Sequence, residues 1–150
     1  GETVYVGKRA GRLFQSLDEG NSWKDVTSSL PLRFSRFNEI LFSGSTVYVA
    51  TDTGVLSSQK GESWHVLTDG MGKHIVVDRF AVDGTTVYGA GDTGLYRLDT
   101  GGRWDQISPS MPDKVISLVI HKDRLYIATH QHGIFHRPLG EAHYNEFSQR

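Results

Sequence analysis

SLDEGNSW, residues 16–23, sets a serine, an acid, a glycine and a second serine at alternate positions and closes on a tryptophan. Each residue type suits one place in a chain reversal. An aspartate accepts hydrogen bonds from the N–H groups of a turn, and a serine hydroxyl bonds across it. Glycine permits the positive φ that a reversal needs. An indole directly after the turn packs its large apolar face as the next strand begins. The stretch therefore reads as a turn between two strands, with Ser16, Asp18, Gly20, Ser22 and Trp23 in structural roles.

The stretch recurs. SSQKGESW (57–64) keeps Gly61, Ser63 and Trp64 but has Gln59 in place of the acid. RLDTGGRW (97–104) keeps Asp99, Gly101 and Trp104. A one-residue shift within the second turn would change these assignments. The three tryptophans lie 41 and 40 residues apart. A second landmark, TVYVGKRAG, TVYVATDTG, TVYGAGDTG and RLYIATHQHG, sets Tyr5, Tyr48, Tyr88 and Tyr126 six or seven residues before a glycine. FNEILFSG, DRFAVDG and ISLVIHKD precede the last three of these. Four units follow, at about 1–30, 31–70, 71–110 and 111–150; the first lacks its opening segment and the last its tryptophan.

Each unit breaks into short β-branched or alternating runs between turn residues. In the second unit these are Glu39–Phe42, Thr46–Ala50, Val55–Ser57 and Trp64–Leu67. Four antiparallel strands in about 40 residues is the size of a propeller blade. The fold class read from the residues is all-β, a β-propeller of about four four-stranded blades. Fifteen strands are expected, because the first blade lacks its first strand.

SLDEGNSW resembles the Asp-box of the BNR-repeat family, S-x-D-x-G-x-[ST]-W, at Ser16, Asp18, Gly20, Ser22 and Trp23. The other two copies are degraded matches. The resemblance implies a sialidase-like or sortilin-like propeller, with the box on the outer turn between third and fourth strands and away from the ligand face. It makes Asp18 and Asp99 structural and not catalytic. Such repeats occur in glycoside hydrolases, receptors, photosystem assembly factors and many bacterial proteins, so the resemblance implies fold and leaves activity open.

Composition narrows the partners. Net charge is −1, which gives no electrostatic case for nucleic acid. There is no cysteine, so disulfides and thiolate zinc sites are excluded. No apolar run approaches the roughly 20 residues of a membrane-spanning helix. Nothing points to a cofactor, and nothing chooses a compartment.

Catalysis finds little support in the residues. Sialidase chemistry needs an arginine cluster for a carboxylate, and none of the arginines stands in the Arg-Ile-Pro context that marks its first member. The tyrosines are accounted for by the repeat. An ordinary glycosidase needs two facing carboxylates. Glu39 and Asp78 fall outside the repeat, and nothing in the sequence pairs them. The reading is a non-catalytic scaffold that binds a protein or carbohydrate; the alternative is a fragment of a carbohydrate-active propeller enzyme.

Binding is expected where propeller loops share one face. The loops between second and third strands offer Lys8, Arg9, Asp52, Asp92, His130 and His132. The blade-to-blade connections offer Arg33, Phe34, Arg36 and Phe37, the run the repeat does not demand. The two histidines read as a polar loop and not as a metal site. Four blades are few for this family, and an open arc would leave apolar faces at both ends. The chain is therefore expected to be half of a ring closed by a second copy, or part of a longer propeller.

Overall fold

The computed structural model describes residues 3–8 and 11–139 and the short strand Ser148–Gln149. Its strands form four sheets in chain order. Blade 1 holds β1 (Val4–Lys8), β2 (Arg12–Ser16) and β3 (Lys24–Asp25), followed by a single 3-10 turn at Thr27–Ser29. Blade 2 holds β4 (Phe37–Ser43), β5 (Thr46–Thr51), β6 (Val55–Gln59) and β7 (Ser63–Val66). A short strand, β8 (Thr68–Asp69), follows, and then blade 3 holds β9 (Arg79–Asp83), β10 (Thr86–Gly91), β11 (Gly94–Leu98) and β12 (Arg103–Ser108). Blade 4 holds β13 (Val115–His121), β14 (Arg124–Thr129), β15 (Ile134–Pro138) and β16 (Ser148–Gln149).

The propeller expectation holds, including the missing first strand. Tyr5 of β1 pairs with Gln15 as Tyr48 pairs with Ser57 and Tyr88 with Arg97, so β1 occupies the second position of its blade. β8 was not foreseen. It leaves blade 2 and pairs in parallel with β12, through Arg103 opposite Thr68 and Trp104 opposite Asp69.

Alternation along each second strand decides which neighbour a side chain meets, because successive side chains point to opposite faces. Val47 and Val49 join Leu13 and Val26 of blade 1 in one core cluster. Ala50, one residue on, joins Val77, Val87, Tyr96 and Trp104 of blade 3. Tyr88, Ala90 and Leu95 join Val115, Leu118, Leu125 and Ile127 of blade 4. The described residues thus form three cores, each between two successive blades.

The first octapeptide closes as its residues predict. Asp18 Oδ1 accepts the Ser22 N–H at 2.8 Å, and Oδ2 accepts the Ser22 hydroxyl at 2.6 Å. Ser16 donates its hydroxyl to Asp18 at 2.8 Å and accepts the Gly20 N–H at 2.7 Å. Gly20 takes φ +93°, and Glu19 before it takes +62°. Asp99 Oδ1 likewise accepts the Gly101 and Arg103 N–H groups, both at 2.9 Å. Asp69 repeats this with Met71 and Lys73, also at 2.9 Å.

The shift within the second turn is present. Trp64 pairs with Ser58, and Trp104 with Leu98, so both degraded turns are one residue tighter than the distance from Ser16 to Trp23. Gly61 takes φ +72° and lies against blade 1, where Gln15 Nε2 donates to Tyr5 Oη at 2.9 Å and to the Gly61 carbonyl at 3.4 Å.

The indoles do not share one environment. Trp104 is 2% exposed within the core between blades 2 and 3. Trp64 is half-buried and meets Tyr5 of blade 1 edge-on, with ring centroids 5.8 Å apart. Trp23, expected to pack inward, is 44% exposed. The reason is positional. Each of the other two indoles packs toward the preceding blade, and the described residues include no blade before blade 1.

Candidate functional site: the loop face and the inner strands

Topology assigns the two ends of the molecule. Loops between second and third strands, and connections between blades, lie at one end. The turns that join third to fourth strands lie at the other, together with a cleft of about 640 Å³ lined by Tyr48, Ser57, Glu62, His65 and Thr100.

Two loop aspartates act as clamps. Asp52 Oδ1 accepts the N–H groups of Ser35 and Arg36 at 2.9 and 3.1 Å, fixing the connection that enters blade 2. Burial works against its ionised form, but these two N–H groups hold its carboxyl below the usual range. Asp113 accepts the Lys114 N–H at 2.7 Å and the Gln131 N–H, and His132 Nδ1 lies 3.4 Å from its Oδ2. Beneath these loops, buried hydroxyls close the strand ends. Thr51 Oγ1 donates to the Gly54 carbonyl at 2.8 Å, and Thr129 Oγ1 to that of Gly133 at 2.9 Å.

Phe34 and Phe37 meet edge-to-face, with centroids 4.8 Å apart, and pack against the core between blades 1 and 2. The Phe37 ring lies where a Cβ on Gly7 would fall, 2.9 Å away. Both rings therefore cover core. Arg33 and Arg36 beside them are exposed, as are Asp92, His130 and His132. The backbone of Lys8 ends β1; Arg9 and the side chain of Lys8 lie outside the described residues.

The inner strands carry the polar residues that the sequence left unpaired. Glu39 lies opposite Ala50, Arg79 opposite Ala90 and Ser117 opposite Ala128, so these three occupy one level of successive blades. Arg79 spans all three: its Nη1 donates to the Asn38 carbonyl at 3.4 Å and its Nε to that of Ile116 at 3.2 Å. Asn38 Nδ2 reaches the Val77 carbonyl at 2.9 Å, and Glu39 Oε2 accepts the Phe80 N–H at 3.2 Å. Burial raises the Glu39 carboxyl, offset by that N–H and by Arg79. Burial first, and the charge of Asp92 second, raise Asp78, while Lys114, Arg79 and Arg36 act the other way. Asp92, Lys114, Arg79 and Arg36 thus lie near enough to Asp78 to act on its charge, and Arg36, Asp78 and Lys114 each directly precede the inner strand of blade 2, 3 or 4. Arg36 and Asp92 were named from the loops; Arg79 and Lys114 were not. The available signal was variation, Glu, Arg and Ser at one repeated position.

Among the described residues no three metal-ligating side chains come together.

No protein-family model matches this sequence, and no curated protein matches it. Solved structures do. YCF48 bound to D1 peptide is similar at 17% identity and a TM-score of 0.68, covering 96% of this chain and 50% of that one. The computationally designed Ika4 protein is similar at 14% identity and a TM-score of 0.71, covering 93% of this chain and 87% of that one. The extracellular domain of a putative hybrid two component system, BT3049 from B. thetaiotaomicron, gives 15% and 0.67, with 97% and 24% covered. This chain spans half of the YCF48 chain and about a quarter of the BT3049 domain. At these identities the likeness is one of fold, and the fold is a β-propeller.

Proposed function

We propose that this chain is a non-catalytic propeller module of the BNR, Asp-box type that binds a segment of another protein across its loop face. One observation carries the reading. Side chains outside the repeated turn and core positions, Arg36, Asp78, Arg79 and Lys114, lie close together where the inner strands of blades 2 to 4 begin. Both signs of charge are present. The face therefore suits an extended polar segment carrying both signs, whose charged groups are oriented by fixed partners. The similar fold of YCF48 bound to D1 peptide supports peptide recognition as the use of such a face.

Selection of displayed random peptides against the purified chain tests this. Enriched peptides are expected to lose at least about tenfold in affinity with Arg36→Ala or Lys114→Ala, and to keep it with Glu62→Ala in a turn at the opposite end. Failure to enrich any sequence, together with turnover of a fluorogenic sialoside that Arg33→Ala or Arg36→Ala abolishes, would replace this reading with the carbohydrate-active one.

A further inference from the structure

Blade 1 is finished on one side only. Its face toward blade 2 buries Leu13 fully and places Tyr5 against Trp64. Its opposite face carries Val4, Val6 and Trp23. Register makes Val4 and Val6 the counterparts of Val47 and Val49, which are 2% and 0% exposed in blade 2. Their counterparts in blade 4, Leu125 and Ile127, are both fully buried. Val6 is 40% exposed and Trp23 is 44% exposed. The residues are those of a blade-to-blade core, in water.

The far side of blade 4 has the complementary character. It is the side that, in blades 1 to 3, presents the repeated tyrosine to the next blade. Val119 lies beside Tyr126 in the ladder and is 50% exposed; Ile134, opposite Ala128, is 43% exposed. Three times within the chain, the tyrosine side of one blade is covered by the valine side of the next.

We infer that the valine and indole face of blade 1 docks on the tyrosine side of blade 4 from a second copy of this chain, so that two copies close one ring. The occupant is set by continuity with the interfaces already formed: this junction repeats their chemistry and needs no new type of contact. A two-fold axis through the ring makes both junctions identical, which is the closed arrangement open repeats favour. The inference rests on the propeller reading but not on the loop face binding a peptide.

Light scattering coupled to size exclusion tests it over a range of concentrations. Wild type is expected at twice the 16.7 kDa of one chain. Val6→Lys and Val119→Glu, made separately, are each expected to weaken the pair at least about tenfold. Mixing the two variants is expected to restore a pair, since one junction then joins lysine to glutamate and the other is wild type. That rescue also shows that both variants fold. Met71→Lys, at a residue 93% exposed and off both faces, is expected to leave the pair intact. A wild-type monomer at every concentration would overturn the inference and point to closure of the four blades on themselves. A dimer indifferent to both substitutions would overturn it in favour of another surface. Loss of peptide binding with the pair intact would instead remove the loop-face reading alone.

Discussion

Asp18 and Trp23 stand five residues apart in the same octapeptide and have opposite fates. Asp18 gathers the hydroxyl and N–H of Ser22 and the hydroxyl of Ser16, which lower its pKa from 3.8 to about 2. A carboxylate whose folded pKa is depressed stabilises the fold above its unfolded value and loses that contribution as pH falls through the folded one. Asp25, held by the hydroxyl and N–H of Thr27 and by Arg12, behaves alike, also at about 2. Urea midpoints are therefore expected to fall between about pH 4 and pH 2. Replacing both aspartates with asparagine should lower the midpoint at neutral pH and flatten that acid limb; an unchanged limb would contradict the assigned bonds. Trp104→Ala should cost about 3–5 kcal/mol, as for a buried aromatic. Trp23→Ala in the dissociated chain should cost only about 0.5 kcal/mol, as at a surface site. Equilibrium unfolding distinguishes the two, and equal costs would contradict their different burial. The roles of Ser16, Asp18 and Gly20 were legible in the sequence because turn bonds are local. The exposure of Trp23 was not, because burial of an indole depends on a neighbouring blade and not on its own turn.

Elements were legible to the extent that their signals repeat. The strands of blade 2 were expected over 39–42, 46–50, 55–57 and 64–67; the first three run a little longer, because ladder pairing extends into Phe37, Ser43, Thr51 and Gln59, and the fourth begins one residue earlier, at Ser63. β8 escaped notice because two residues paired in parallel carry no periodic signature. The turns between strands offer a sharp test. Gly44 at φ +60° faces open space, so Gly44→Ala carries only conformational strain, about 1–2 kcal/mol. A Cβ on Gly61 would fall 1.9 Å from Tyr5 Oη and 2.3 Å from Gln15 Nε2, atoms already bonded to each other. Gly61→Ala should therefore cost more, about 2–4 kcal/mol. Equal costs in urea unfolding would mean that the turn of blade 2 does not rest on blade 1. Thr51→Val removes the hydroxyl that closes the loop above β5 and should cost about 1–3 kcal/mol, with faster amide exchange at Gly54 as the local reading.

At the scale of the whole molecule, the chain is a series of interfaces and not a set of independent sheets. Every described core cluster spans two successive blades, so no blade buries its apolar residues alone. The count of units was legible from the spacing of Trp23, Trp64 and Trp104. The joining of the inner strands was not, because Asn38, Arg79 and Ile116 are about 40 residues apart and bond only when the blades assemble. Fluorine NMR of the 5-fluorotryptophan-labelled chain tests this architecture most directly, through the solvent-isotope shift of each indole. With Val119→Glu keeping the chain single, Trp23 should show a large shift, Trp64 an intermediate one and Trp104 almost none; in the wild-type pair the Trp23 shift should collapse. Three indoles equally open to solvent, or Trp104 more open than Trp23, would contradict a chain built from blades that each pack an indole on the blade before.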